Sequence, residues 1–334
     1  MKEVQRSLSY FIEHSSPLPT TFAESIAQIK TFALQQFQQE IEQKQLYYHT
    51  REHIENVQRR ANLILQAIAP YWSDLASGDR PTIDLPRTAL LLDLCAISHD
   101  MVQLFVPHQP HMTRQREPGA SERTTIERLV AYIHKLNQQL QAGDPNSPAR
   151  LTDDDIWVIQ AAIAATICAY DPGEQAIYQP ALDETNLCLP IVARILALAD
   201  IGALSIDGVQ VYEREGTLLF LEENLDLIPL LLEGRIDALG AEDPELYESL
   251  RQRLLKRCRF QVNFAKSRLA RFDREILGLP EQAMSTLTHN VFRYLTPATI
   301  AEIVAIAPTA EKTSLEELLE FFKFEQYLET QSFS

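Results

Sequence analysis

Three stretches of this chain carry residues able to grip a divalent cation. In Tyr47-Tyr48-His49-Thr50-Arg51-Glu52-His53 two histidines stand four residues apart, a spacing that predicts both rings on one helical face. The apolar run from Leu90 to Ser98 ends in the adjacent pair His99–Asp100. Neighbours on a helix diverge by about 100°, so this pair reaches one ion most easily where its helix ends. The third stretch, RILALAD, carries Asp200 into a segment with almost no other polarity. A buried carboxylate must be paired or bind a metal. Imidazole is a borderline ligand and carboxylate a hard one, so a mixed set suits Mg2+, Mn2+, Zn2+, Fe2+ or Ni2+. Asp207 competes with Asp200, although Ser205-Ile206-Asp207-Gly208 reads as a turn. Asp93, in the same apolar frame as the His-Asp pair, is placed to support a ligand from behind.

The order His, then His-Asp, then Asp resembles the HD superfamily of metal-dependent phosphohydrolases over roughly residues 45 to 205. The matching residues are His53 with its frame HIENV, His99–Asp100 with LDLCAISHD, and Asp200. YHTREHI is similar to a subset that includes the cyclic-nucleotide phosphodiesterases. That likeness implies that His53 binds metal and that His49 protonates the leaving group. Ser121-Glu122-Arg123-Thr124-Thr125 resembles an NE..S stretch whose glutamate approaches the metal-bound water, with Ser121 in place of the asparagine. Glu122 takes that role by the same likeness.

Two-metal members of the superfamily carry further histidines between the His-Asp pair and the last Asp. AATICAYDPG contains none, and His134 is the remaining candidate on a helix. The resemblance therefore implies one divalent ion on His53, His99, Asp100 and Asp200. Such an ion generates hydroxide and polarises phosphorus. Asp100 or Asp200 would accept the water's proton, and His49 would protonate the departing alkoxide. The implied substrate is a phosphate ester of a nucleotide or a related small phosphorylated molecule. Arg114, Arg116 and Arg123, in and after the loop that follows the His-Asp pair, have guanidinium forks that match phosphate oxygens. His108 and His111 lie in the same loop, as a second metal site, a lid, or plain loop residues. Two other readings are a non-catalytic metal- or ligand-binding regulatory module and an HD-fold dinuclear oxygenase.

The elements that must position these residues are helical. Thr21-Phe22-Ala23-Glu24 is a capping box, Thr50 a cap, and Pro86 a helix start. Ser121 or Glu122 opens another helix, which Gly143-Asp144-Pro145 ends. Thr152 to Asp155 opens a helix expected to run to Tyr170, where Asp171-Pro172-Gly173 stops it. Asp243-Pro244 starts the longest amphipathic run, and Thr296-Pro297 and Ser314 cap two more helices. With ten glycines and no alternating runs between hairpin turns, a sheet finds little support. The expected fold is all-α, an HD-type helical bundle over 1–280 with a C-terminal helical extension over 281–334.

The 334 residues are enough for a sizeable core. The net charge of −16 argues against nucleic-acid and anionic-membrane partners. It leaves an anionic small substrate open, because a bound cation inverts the local field. Cys95, Cys168, Cys188 and Cys258 form no CxxC pair and read as free thiols in a reducing compartment. No stretch reads as a signal peptide or a comfortable membrane span, so the expected location is cytoplasmic. Assembly into a homo-oligomer is left open.

Overall fold

Local capping chemistry decides where the helices begin. In a computed structural model, described over residues 17–75, 84–107, 112–183 and 188–328, Thr21 and Glu24 bond each other's backbone N–H at the start of α1 (Phe22–Lys44). Thr50 precedes α2 (Arg51–Ile68), although its hydroxyl makes no capping bond. Asp84 accepts the Arg87 N–H at 2.7 Å to cap α3 (Leu85–Ser98), with Pro86 in the first turn. Then follow α4 (Ala120–Gly143) and α5 (Asp153–Ala164), the latter opened by a Thr152–Asp155 capping box. Next come α6 (Ile191–Asp200) and α7 (Val209–Glu223). After two short helices, Asp243 caps the long α8 (Pro244–Glu275). The chain continues through α9 (Pro297–Ile306) and α10 (Leu315–Phe322). The all-α class stands.

One expected helix is shorter than the sequence predicts. α5 stops at Ala164 rather than Tyr170. The Thr166 hydroxyl donates to the Ile163 carbonyl at 2.8 Å, which satisfies a terminal carbonyl and lets the chain leave the helix. Ala169–Asp171 (β1) then pairs antiparallel with Ala176–Tyr178 (β2). Asp171 Oδ1 accepts the N–H groups of Gly173 and Glu174 at 2.8 and 3.3 Å. The residues expected to end a helix instead turn a hairpin, as a side chain that mimics a backbone acceptor can.

α6 is buried on every side from Val192 to Ala199, the pattern of a central helix. It packs on α2, α3 and α5, and α2 and α3 pack on each other. α1 lies against α3 and α4. A large core follows from these contacts, with Ile29, Ile64, Leu91, Ile133, Ile159 and Leu196 fully enclosed. Each such side chain contributes about 1.5–3 kcal/mol. A second, smaller cluster joins Phe220 and Leu221 of α7, Leu250 and Leu254 of α8, and Leu315 and Phe322 of α10. Chain beyond residue 280 feeds both: Leu287 and Phe292 enter the first and α10 the second. Among the described residues no helix is long and apolar enough to cross a membrane.

Candidate metal centre

The mutually packed α2, α3 and α6 bring three helix ends to one point. His53 lies in the first turn of α2, His99 caps the C-terminus of α3, and Asp200 is the last residue of α6. Two helix C-termini carry partial negative charge, which favours a cation between them. Gly202 lets α6 end tightly, since a Cβ there would sit 2.8 Å from the Ala199 carbonyl oxygen.

Asp100 Oδ2 stands 3.1 Å from Nε2 of both His53 and His99. Asp200 Oδ1 lies 3.5 Å from His99 Nε2 and 3.7 Å from His53 Nε2. Among the described residues, His53, His99 and Asp100 form the group whose ligand atoms all lie within 4.8 Å of one another. His99 donates from Nδ1 to the Ala96 carbonyl at 2.9 Å, which leaves Nε2 as a lone pair in the neutral ring. Despite the short approaches, neither Nε2 makes a hydrogen bond of sound geometry, and His53 Nδ1 has no partner either. Buried polar atoms without partners are rare and need a reason. Imidazole lone pairs converging with two carboxylates fit a divalent cation, in donor chemistry as well as placement.

The remaining carboxylate oxygens are held by amides. Gln103 Nε2 donates to Asp100 Oδ1, and Gln179 Nε2 to Asp200 Oδ2, each at 3.0 Å. Outer partners of this kind orient ligands. Burial alone would disfavour charge on His99, but Asp100 and Asp200 outweigh it and hold its pKa well above the imidazole range. Asp100, although its partial burial opposes ionisation, is held well below the usual carboxylate range by His99 and His49. The cluster draws positive charge, and a cation must compete with protons for it.

His49 sits differently from the expectation. It precedes α2, in the bend Tyr47–Thr50, rather than sharing a helical face with His53. The rings are still neighbours, with centroids 5.7 Å apart, because Glu222 of α7 holds the bend. Glu222 Oε2 accepts the N–H groups of Tyr47, Tyr48 and His49 at 3.1, 3.0 and 3.0 Å. Its Oε1 lies 2.6 Å from His49 Nδ1. Burial resists ionisation of Glu222, yet His49, Arg116 and the backbone donors pull its pKa down to about 2. A carboxylate only accepts and a guanidinium only donates. His49 therefore donates from Nδ1 to Glu222, and its Nε2 accepts from Arg116 Nη1 at 3.0 Å. That Nε2 is 3.8 Å from Asp100 Oδ2.

A cavity of about 510 Å³ opens beside the cluster, with His49, Asp100, Asp200 and Glu122 in its lining. Burial raises the Glu122 pKa, with Asp100 and Asp200 adding to the shift. Arg114 and Arg116 line the same cavity, whereas Arg123 is half exposed against Glu117 and Pro118 and is not among its lining residues. Tyr212, Phe260, Phe264 and Gln261 also line it. Phe260 and Phe264 run parallel, centroids 6.0 Å apart and planes 5° from each other. Gln261 is buried with neither amide heteroatom bonded. The amide fits only because residue 216 is glycine, since a Cβ there would lie 2.0 Å from Gln261 Nε2.

Asp207 is not placed as a ligand, and Asp93 does not support one. Asp207 is engaged by Arg59 Nη2 at 2.7 Å and Arg60 Nε at 2.6 Å. Asp93 bonds Lys30 of α1 and Gln58 of α2 rather than any ligand. His134 lies on α4 in a shallow surface depression with Asn137 and Asp153, and His108 and His111 fall outside the described residues. Cys95 and Cys258 are buried, Cys168 is half-buried in the cavity wall and Cys188 is exposed; none of the four is in a disulfide. Sequence reasoning missed Glu222, Gln103, Gln179 and Gln261. The Glu222-Glu223 pair after the apolar run Leu218 to Leu221 was a signal of a buried carboxylate. Its partner His49 is 173 residues away. Comparison with protein-family models, curated proteins and solved structures returned no match.

Proposed function

We propose that this chain is a metal-dependent phosphohydrolase of the HD kind, acting on a phosphate ester of nucleotide size. The observation that carries this reading is the convergence of buried, unbonded His53 and His99 nitrogens on Asp100 and Asp200, the two carboxylates that also line the cavity. Those four residues would hold a divalent ion, which when bound would supply a hydroxide at neutral pH and polarise the phosphorus.

The chain's own groups cover the proton transfers. Asp100 or Asp200 accepts the proton of the attacking water. His49 protonates the leaving oxygen from Nε2, and Glu222 at Nδ1 stabilises the ring while it carries two protons. A phosphate oxygen beside His49 gives Arg116 an acceptor in place of the imidazole lone pair. The parallel rings of Phe260 and Phe264 and the unbonded Gln261 amide suit a planar group with a donor and an acceptor on one edge. A nucleobase has both properties.

The test is a panel of nucleotide monoesters, diesters and pyrophosphates, with each candidate metal added and with chelator. Metal-dependent release of phosphate or nucleoside, abolished in His99→Ala, supports the enzyme. A stoichiometrically metal-loaded protein that turns over nothing in the panel overturns it and leaves a binding module.

A further inference from the structure

Residues 113–119 line the cavity on the side that follows the His-Asp pair. Arg114 within this stretch is 6% exposed. Its guanidinium lies 3.6 Å over the Phe105 ring, and Nη1 donates to the Lys44 carbonyl at 3.0 Å. Its backbone N–H donates to the Glu223 carbonyl at 2.7 Å. Stacking and these two bonds fix the plane of the group. Nε and Nη2, however, are buried and meet no acceptor.

Those two nitrogens form one edge of the guanidinium, the edge whose parallel N–H bonds match two oxygens of one anion. An arginine cannot shed its proton to escape burial, so a fixed and unbonded edge is unfavourable until an anion meets it. Arg116 is already engaged, with Gln103 Oε1 at 2.8 Å and His49 Nε2 at 3.0 Å. The two arginines therefore have separate duties. Arg116 is committed to His49 and Gln103. Arg114 is held by Phe105 and Lys44, and its Nε–Nη2 edge is buried without an acceptor.

We infer that the Nε–Nη2 edge of Arg114 receives a second phosphate of the substrate, distinct from the one that reacts beside His49. The substrate class is then a small bisphosphate, such as a nucleoside carrying two separate phosphates. Naming it a substrate rests on the phosphohydrolase reading; the anion site does not.

The test separates the two. Inorganic pyrophosphate and, in parallel, malonate are titrated calorimetrically into the metal-free full-length chain, as wild type, Arg114→Gln and Arg114→Lys. Melting curves of each variant confirm folding. The expected result is saturable pyrophosphate binding by the wild type, weakened about tenfold or more in Arg114→Gln and restored only in part by lysine, which lacks the two-nitrogen edge. Equal affinity in folded wild type and Arg114→Gln overturns the site. Arg114-dependent binding of malonate with none of pyrophosphate overturns the phosphate assignment. For esters that turn over, the preference for a bisphosphate over its matching monophosphate should fall in Arg114→Gln. If no ester turns over while pyrophosphate binding still depends on Arg114, the anion site stands and the phosphohydrolase reading fails.

Discussion

α2 carries two buried basic side chains, each facing two carboxylates. Arg60 faces Asp207 and Glu215; His53 faces Asp100 at 3.1 Å and Asp200 at 3.7 Å. They differ in what supplies the positive charge. The guanidinium is charged at every ordinary pH, and Asp207 and Glu215 reinforce its charge against the effect of burial. That cluster brings its own cation and is structural. Imidazole changes charge near neutrality and offers a lone pair when neutral. The second cluster therefore leaves its carboxylates to be balanced by protons or by an added metal. Similar residues on one helix are separated into scaffold and site by whether the chain itself completes the pairing.

This contrast breaks most visibly on the imidazole side. His53→Ala should leave the protein metal-poor and reduce ester turnover to background while far-ultraviolet circular dichroism keeps the helical signal. A fully metal-loaded and active variant would make His53 as structural as Arg60. His49→Ala should retain metal yet lose about 10²–10⁴-fold in rate on unactivated esters, with a smaller loss on nitrophenyl esters that need no proton. Loss of metal in His49→Ala, as in His53→Ala, would merge the two roles.

On the scaffold side, Arg60→Met leaves buried Glu215 without its guanidinium and Asp207 with Arg59 alone, and should cost about 3–5 kcal/mol in urea unfolding. Glu222 gives a pH signature of its own. Its pKa falls from an ordinary 4.5 to about 2 on folding, so the folded state binds fewer protons in that interval. Its stabilisation is complete above pH 4.5 and is lost as pH falls toward 2, on the order of 3 kcal/mol in all. Glu222→Gln should flatten that part of the acid unfolding curve; an unchanged curve would deny the depressed pKa. The smallest effect belongs to Asp207→Asn, whose metal content should match the wild type.

The helix ladder was legible because caps are local: Thr21 with Glu24, Thr152 with Asp155 and Ser314 with Glu317 all form the reciprocal bonds their spacing predicts. The order of His53, His99, Asp100 and Asp200 was legible too, each being set by a helix end. What stayed hidden was long-range or conformational. The i and i+4 spacing of His49 and His53 suggested one helix, and only the 173-residue link to Glu222 shows why the rings meet outside it. Asp93 in its apolar frame and Asp207 in its expected turn both drew notice as carboxylates near the ligands, and only the packing of Lys30 and Arg60 from other segments shows that they are paired elsewhere. The hairpin after α5 was lost because Asp171 to Gly173 serves equally as a helix stop and as a strand turn.

The most direct measurement is the metal content of purified protein, wild type beside His99→Ala, after loading with each candidate ion and removal of free metal. The account predicts about one equivalent bound by the wild type and less than about a tenth by the variant, since ligand removal opens the site. A wild type that retains no metal, or a His99→Ala that retains the full equivalent, would contradict it.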